Sequence, residues 1–228
     1  MTRRRLLAID TAGTQALVAL GEPDGTPVAD RRWVAGYRHG EELLSRIDEL
    51  LHGTGTSRAD IGGIVVGTGP GAFTGLRVGL ATAKALAHGL GVSIAGVATA
   101  EALLEAAAAS TGSGAASGAD LALLLPAGPS DRVVVHRGVA ALVRGGEQPE
   151  LPPDTTLVAV DLPGRAPADA LARGEAAEAG LGAAILRLGA ARLAAGGDDL
   201  AVLVPEYVTL PRGIPSLRGE VRWSHDRR

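Results

Sequence analysis

The stretch Gly67-Thr68-Gly69-Pro70-Gly71-Ala72-Phe73-Thr74-Gly75-Leu76-Arg77 decides how this chain is read. It follows the apolar run IGGIVV (61–66) and precedes the Ala-rich run VGLATAKALAHGLG (78–91). A buried strand, a glycine loop and a helix in succession form a unit of α/β architecture. Such loops often hold phosphate, but a P-loop needs a lysine after its last glycine. The chain's one lysine, Lys84, lies on the following helix, which excludes that motif. Gly67-x-Gly69-x-x-Ala72 matches a loose dinucleotide pattern. Against it, Pro70 offers no N–H, and no acid follows the next strand, VSIAGV, to hold a ribose.

A structural reading accounts for the same residues. Gly69-Pro70-Gly71-Ala72 suits a type II turn, Thr74 can cap the helix, and Phe73 can staple to Val78. Gly67, Gly69, Pro70, Gly71 and Thr74 then shape the backbone. Beyond them Gly75, Gly79, Ala83 and Ala87 recur every four residues, a small-residue face that suits either the chain's own sheet or a partner's helix. Arg77 sits in the first helical turn, where the macrodipole disfavours a cation. It either pairs with a nearby carboxylate or meets an anionic ligand or an acidic partner.

Outward from the loop, RLLAID and ALVAL, joined by turn residues, read as a hairpin, and VADRRWV as a third strand. In HGEELLSRIDELLHG, Leu43, Leu44, Ile47, Leu50 and Leu51 share a helical face. TAEALLEAAAA reads as another helix. STGSGAASG (110–118) is low-complexity and reads as a linker. Strands LALLL, RVVVH, VAALV and TLVAV follow, then a helix over GLGAAILRLGAARLAA. Each half runs from strands into helices, so we expect two related α/β lobes: residues 1–110, a linker at 111–118, residues 119–210, and a surface tail at 211–228.

The composition is 46% hydrophobic but 2% aromatic, so small aliphatic side chains must build the core. A net charge of -3 gives no global pull toward nucleic acid or acidic membranes. Basic residues gather only at the ends, in Arg3-Arg4-Arg5 and LRGEVRWSHDRR. The absence of cysteine excludes disulfides, thiolate metal sites and a cysteine nucleophile. No apolar run reaches the roughly 18 residues of a membrane span, and the N-terminal apolar segment breaks at Asp10. A cytoplasmic protein without a membrane partner is expected.

LLAIDTAGTQALVAL, His39 opening the first long helix, GTGPGAFTGLRVGLATAKALAHGLGVSIAGVAT and the late PEYV together resemble the TsaB (YeaZ) family. The match is long and specific around the glycine loop and weakens after residue 110. The resemblance implies a two-lobed fold of actin/Hsp70/sugar-kinase type. It implies a role in threonylcarbamoylation of N6 of adenosine 37 in tRNA, as a noncatalytic scaffold for the catalytic paralogue TsaD, alongside the ATPase TsaE. The family pairs through helices of the N-terminal lobe, here Gly40–His52 and Gly75–Gly89. That points to Leu43, Leu44, Ile47, Leu51, Gly75, Arg77, Gly79 and Ala83 as partner contacts. The chain alone is expected to form a homodimer, to meet tRNA only indirectly, and to see ATP or ADP only at an assembled interface.

The resemblance also bears on catalysis. The paralogue's two metal-binding histidines fall at Thr99 and Leu103 here, and the five histidines show no i, i+3 or i, i+4 pair, so no metal is expected. Asp10-Thr11-Ala12-Gly13 occupies the place of the superfamily's first phosphate loop. Asp10 could hold Mg²⁺ through water and Thr11 a phosphate, or the segment is an Asx turn. At the second phosphate loop the chain offers Leu125-Pro126-Ala127-Gly128-Pro129, without a carboxylate, where the family commonly has Asp-Ala-Arg. The competing readings are a metal-dependent glycopeptidase-like enzyme and a small-molecule kinase of the same superfamily.

Overall fold

The computed structural model describes residues 4–36, 39–110 and 120–207. The side chain of His39, the linker at 111–118, the tail at 211–228, Arg3 and His225 lie outside the described residues.

Strands β1 (Arg5–Asp10) and β2 (Gln15–Gly21) form the expected antiparallel hairpin, with Leu7 opposite Leu20 and Ile9 opposite Val18. β3 (Pro27–Val34) extends it on one side. β4 (Ile61–Gly69) and β5 (Ser93–Ala98) add in parallel on the other, giving the order β3-β2-β1-β4-β5. Because helices cover both faces, β1, β2 and β4 are continuous apolar runs rather than alternating ones. Leu7, Ile9, Val18, Leu20, Ile64 and Val66 pack beneath α1 (His39–Gly53) and α2 (Phe73–Leu90). Leu6, Ala8, Leu17, Ala19, Val65 and Val97 face α3 (Thr99–Ser110) and α4 (Ala168–Ala194).

The second sheet comprises β6 (Leu121–Pro126), β7 (Arg132–His136), β8 (Val139–Val143) and β9 (Thr156–Ala159), in the order β8-β7-β6-β9. β6 and β7 are antiparallel, β7 and β8 antiparallel, β6 and β9 parallel. This repeats β1 to β4 strand for strand. Leu123, Leu125, Val133, Val135, Val158 and Val160 join the face carrying α3 and α4, so one apolar core runs between the two sheets. Asp120 secures the start of β6: its carboxylate meets His136 Nε2 at 2.9 Å, Thr155 Oγ1 at 2.8 Å and Arg137 Nε at 3.1 Å. Those hydrogen bonds, led by His136, hold its pKa down at about 2.

Two helix starts differ from the sequence expectation. α4 begins at Ala168 rather than Gly180. Its first half buries Ala170, Gly174 and Ala177, which carry little hydropathic signal yet allow close packing. α2 begins at Phe73, with Ala72 as N-cap and no side-chain cap. Thr74 is therefore inside the helix and is not its cap. The first turn is anchored instead by the Ala72 N–H donating to the Ala12 carbonyl at 2.7 Å. The type II turn is also absent. Positive φ falls at Gly69 (104°) and not at Gly71, where that turn requires it.

Candidate functional site

The glycine loop docks on the β1–β2 turn, and the two together form one wall of a cleft between the lobes. Asp10 is fully buried, with Oδ1 accepting from the Ala12 N–H at 2.9 Å and Oδ2 from the Thr99 hydroxyl at 2.7 Å. The first bond is the Asx turn allowed by the sequence. Burial pushes the Asp10 pKa up, against the lowering effect of these two donors. Thr11 donates its hydroxyl to the Gly75 carbonyl at 2.7 Å. Asp10 and Thr11 thus spend their polar groups inside the chain, while Gly13 borders the cleft. Gly67 lies against the Asp10 carboxylate, and Gly71 against the Ala12 carbonyl. The Gly69 N–H donates to the Thr99 hydroxyl at 3.1 Å.

The cleft has a volume of about 280 Å³, and the far wall brings Pro126, Gly128, Asp161 and Glu178 to it. Asp161 accepts from the Thr14 N–H at 2.7 Å, a polar tie between the lobes. Burial, then the charges of Asp161 and Glu175, push the Glu178 pKa up to about 7 against the opposing pull of Arg32. Asp10, Asp161 and Glu178 line the cleft and no lysine or arginine does, so the lining holds no cation for a phosphate. Sequence reasoning missed Asp161 and Glu178, because nothing local marks a residue that meets its partner 147 positions away. Among the described residues no three His, Asp or Glu side chains converge on a metal position.

The expected partner face needs correction. Leu43, Ile47 and Leu51 are buried under the chain's own sheet. Gly75, Gly79 and Ala83 are buried too; a Cβ on Gly79 would stand 2.2 Å from Thr11 Oγ1. The small-residue face lets α2 settle on its own β1–β2 turn and is not open to another chain. Leu44 (58% exposed) and Arg77 remain on the surface. The Arg77 guanidinium lies 5.2 Å from the Phe73 ring centroid rather than beside a carboxylate among the described residues. Phe73 does not staple to Val78 but meets Tyr207 of the PEYV segment, ring centroids 5.0 Å apart. That segment is fixed by the Glu206 N–H donating to the Thr68 carbonyl and Thr68 Oγ1 donating to Glu206 Oε1, both at 2.8 Å.

The exposed surfaces of the two helices differ in charge. α1 carries Glu41 and Asp48 beside Leu44 and, farther round, Glu49 paired with Arg46, while Arg58 reaches Asp48. α2 carries Arg77, Lys84 and His88 and no acid at all.

Two lobes with one repeated strand plan, joined at a cleft, give the chain a fold of actin/Hsp70/sugar-kinase type. Residues 33–195 match the family model of TsaD, tRNA N6-adenosine threonylcarbamoyltransferase. The chain is 40% identical over 95 residues to the tRNA threonylcarbamoyladenosine biosynthesis protein TsaB of Escherichia coli, covering 42% of this chain and 40% of that one. It is 34% identical over 98 residues to TsaB of Bacillus subtilis, covering 43% and 42%. The matched segments thus span under half of these relatives' lengths. The solved structure of YeaZ from Pseudomonas aeruginosa shares the fold, with a TM-score of 0.65, 21% identity, and coverage of 90% of this chain and 99% of that one. The chain belongs to the TsaD family, whose model spans most of it, and within that family it is similar to the proteins named TsaB and YeaZ. No helix among the described residues is long and apolar enough to cross a membrane.

Proposed function

We propose that the chain is a noncatalytic subunit of the machinery that installs threonylcarbamoyl on N6 of adenosine 37 in tRNA. It docks a TsaD-like catalytic paralogue through the exposed sides of α1 and α2. The observation that carries this reading is the relation to proteins named for threonylcarbamoyladenosine biosynthesis. The cleft supports it, because its lining offers a nucleotide Asp161 and Glu178 but no lysine or arginine, and Arg32, the cation beside Glu178, is not among the lining residues. ATP or ADP then enters only at an assembled interface, a TsaE-like ATPase acts on the complex, and tRNA is reached through the paralogue. With its partner absent, the acidic α1 and basic α2 surfaces suit pairing with the opposite helices of a second copy.

The test is size exclusion of the chain with the paralogue, with and without nucleotide. A heterodimer is expected at micromolar concentration. Leu44→Asp combined with Arg77→Glu is expected to weaken it by about 100-fold with an unchanged circular dichroism spectrum, since both side chains are on the surface. Failure of the unaltered chain to form a complex under either condition sinks the reading.

A further inference from the structure

β3 and β8, one edge strand from each sheet, are treated in opposite ways by the sequence. An edge strand presents unpaired N–H and C=O groups that recruit other strands, and proteins blunt such edges with proline and charge. β3 is blunted: it starts at Pro27 and carries Asp30, Arg31 and Arg32 in succession, with Arg32 Nε 3.1 Å from the Asp30 carboxylate. β8 is Val139-Ala140-Ala141-Leu142-Val143, with no charge and no proline. It pairs only with β7 among the described residues. Val139 is 69% and Leu142 42% exposed, and Ala140 and Ala141 are exposed as well. A tight turn with positive φ at Arg137 and Gly138 fixes the register of the hairpin, so this apolar edge is held in place.

We propose that β8 is a homotypic pairing edge, occupied by β8 of a second copy of this chain in antiparallel register about Ala141. The sequence is self-complementary around that residue. A two-fold axis at Ala141 sets Val139 opposite Val143, Ala140 opposite Leu142 and Ala141 opposite itself, so valine meets valine and alanine meets alanine on one face while the small Ala140 meets the large Leu142 on the other. The next pair sets Arg144 against Gly138, which avoids opposing like charges at the ends. The two sheets join into one of eight strands. A slip of one residue turns the exposed Leu142 to the other face and loses the match. Because β8 lies on the second sheet, this edge is separate from α1 and α2 and stays open when those helices hold another protein.

The absence of native cysteine allows a direct test with the full chain. Residues opposite each other in an antiparallel pair have Cα atoms about 4.5–5.5 Å apart, within the span of a disulfide. Short strands alone bury little area, so cross-linking is preferred to a mass measurement because it captures weak dimers. Under mild oxidation Ala141→Cys is expected to yield a covalent dimer at least tenfold faster than Ala172→Cys, an exposed control on α4. Ala140→Cys and Leu142→Cys are expected to cross-link with each other faster than either does with itself. Rates at Ala141 no higher than the control, or the reverse order for the mixed pair, overturn the proposal. Neither result depends on the threonylcarbamoylation partner, so this test and that of the proposed function fail separately.

Discussion

The two sheets start from the same four-strand plan and differ in what lies between the third strand and the fourth. In the first lobe that connection contains α1, which with α2 buries Leu7, Ile9, Val18 and Leu20. In the second it is the loop 144–155, without a helix, and the outer face is covered by segments such as Leu151, Ala166 and Leu171. The difference teaches where each lobe can meet other molecules. The first offers two charged helix surfaces over a deep core, the second a sheet edge with a shallow one.

Core truncation is the sharpest way to break this contrast. Leu50, a fully buried residue of α1, is fixed between its helix and the sheet. Leu50→Ala is expected to cost about 4 kcal/mol by urea denaturation, since the helix cannot follow the missing atoms. Leu162 is equally buried, but in the small outer cluster of the second lobe. There loops can collapse inward, and Leu162→Ala is expected to cost about 2 kcal/mol. Equal costs would mean that the second lobe is as rigidly packed as the first.

A second comparison lies along α4, which crosses from one lobe to the other. A Cβ on Gly174 would stand 1.8 Å from the Ala159 carbonyl oxygen at the end of β9. Gly174→Ala must therefore displace the helix from a backbone group, at an expected cost of about 3 kcal/mol. At Gly180 the nearest atom is Ala106 Cβ at 3.0 Å, on α3. Gly180→Ala is expected to change stability by less than about 0.5 kcal/mol, with improved helix propensity offsetting the tight contact. Similar thermal unfolding shifts for the two variants would refute the idea that α4 is pinned at β9 and adjustable against α3.

The first lobe was the more legible in the sequence, for reasons visible in its residues. Leu43, Ile47, Leu50 and Leu51 repeat with helical spacing, and the runs RLLAID and IGGIVV end in turn residues. α4 was half missed because Ala170, Gly174 and Ala177 bury through small size, which hydropathy does not register. The candidate site was less legible still. The spacing of Gly75, Gly79 and Ala83 signals close approach but cannot name the neighbour, which is Thr11 of the same chain. Arg77 violates the helix-dipole preference in plain view, yet its stacking on Phe73, and Phe73 on Tyr207, joins positions more than a hundred residues apart.

A third comparison probes the seam between the lobes. Glu178 reaches the cleft from α4 and feels Asp161, which itself holds the Thr14 N–H of the β1–β2 turn. Its pKa is raised from 4.5 to about 7, so the folded protein binds this proton more tightly than the unfolded chain. The stability it confers is full below pH 4.5 and fades as the pH rises through 7. Replacing it with a neutral amide removes that dependence. Glu178→Gln is expected to be more stable than the unaltered chain at pH 8 by about 1 kcal/mol, a figure reduced for the water that reaches this half-exposed side chain. At pH 4 the advantage disappears. Asp161→Asn separates the two causes, because asparagine tolerates the positive φ of 56° and still accepts from Thr14. It removes the neighbouring charge but leaves burial, so it is expected to flatten the slope only in part. A slope that survives unchanged in Glu178→Gln would move its origin to the other buried carboxyl, Asp10, inside the first lobe rather than between the two.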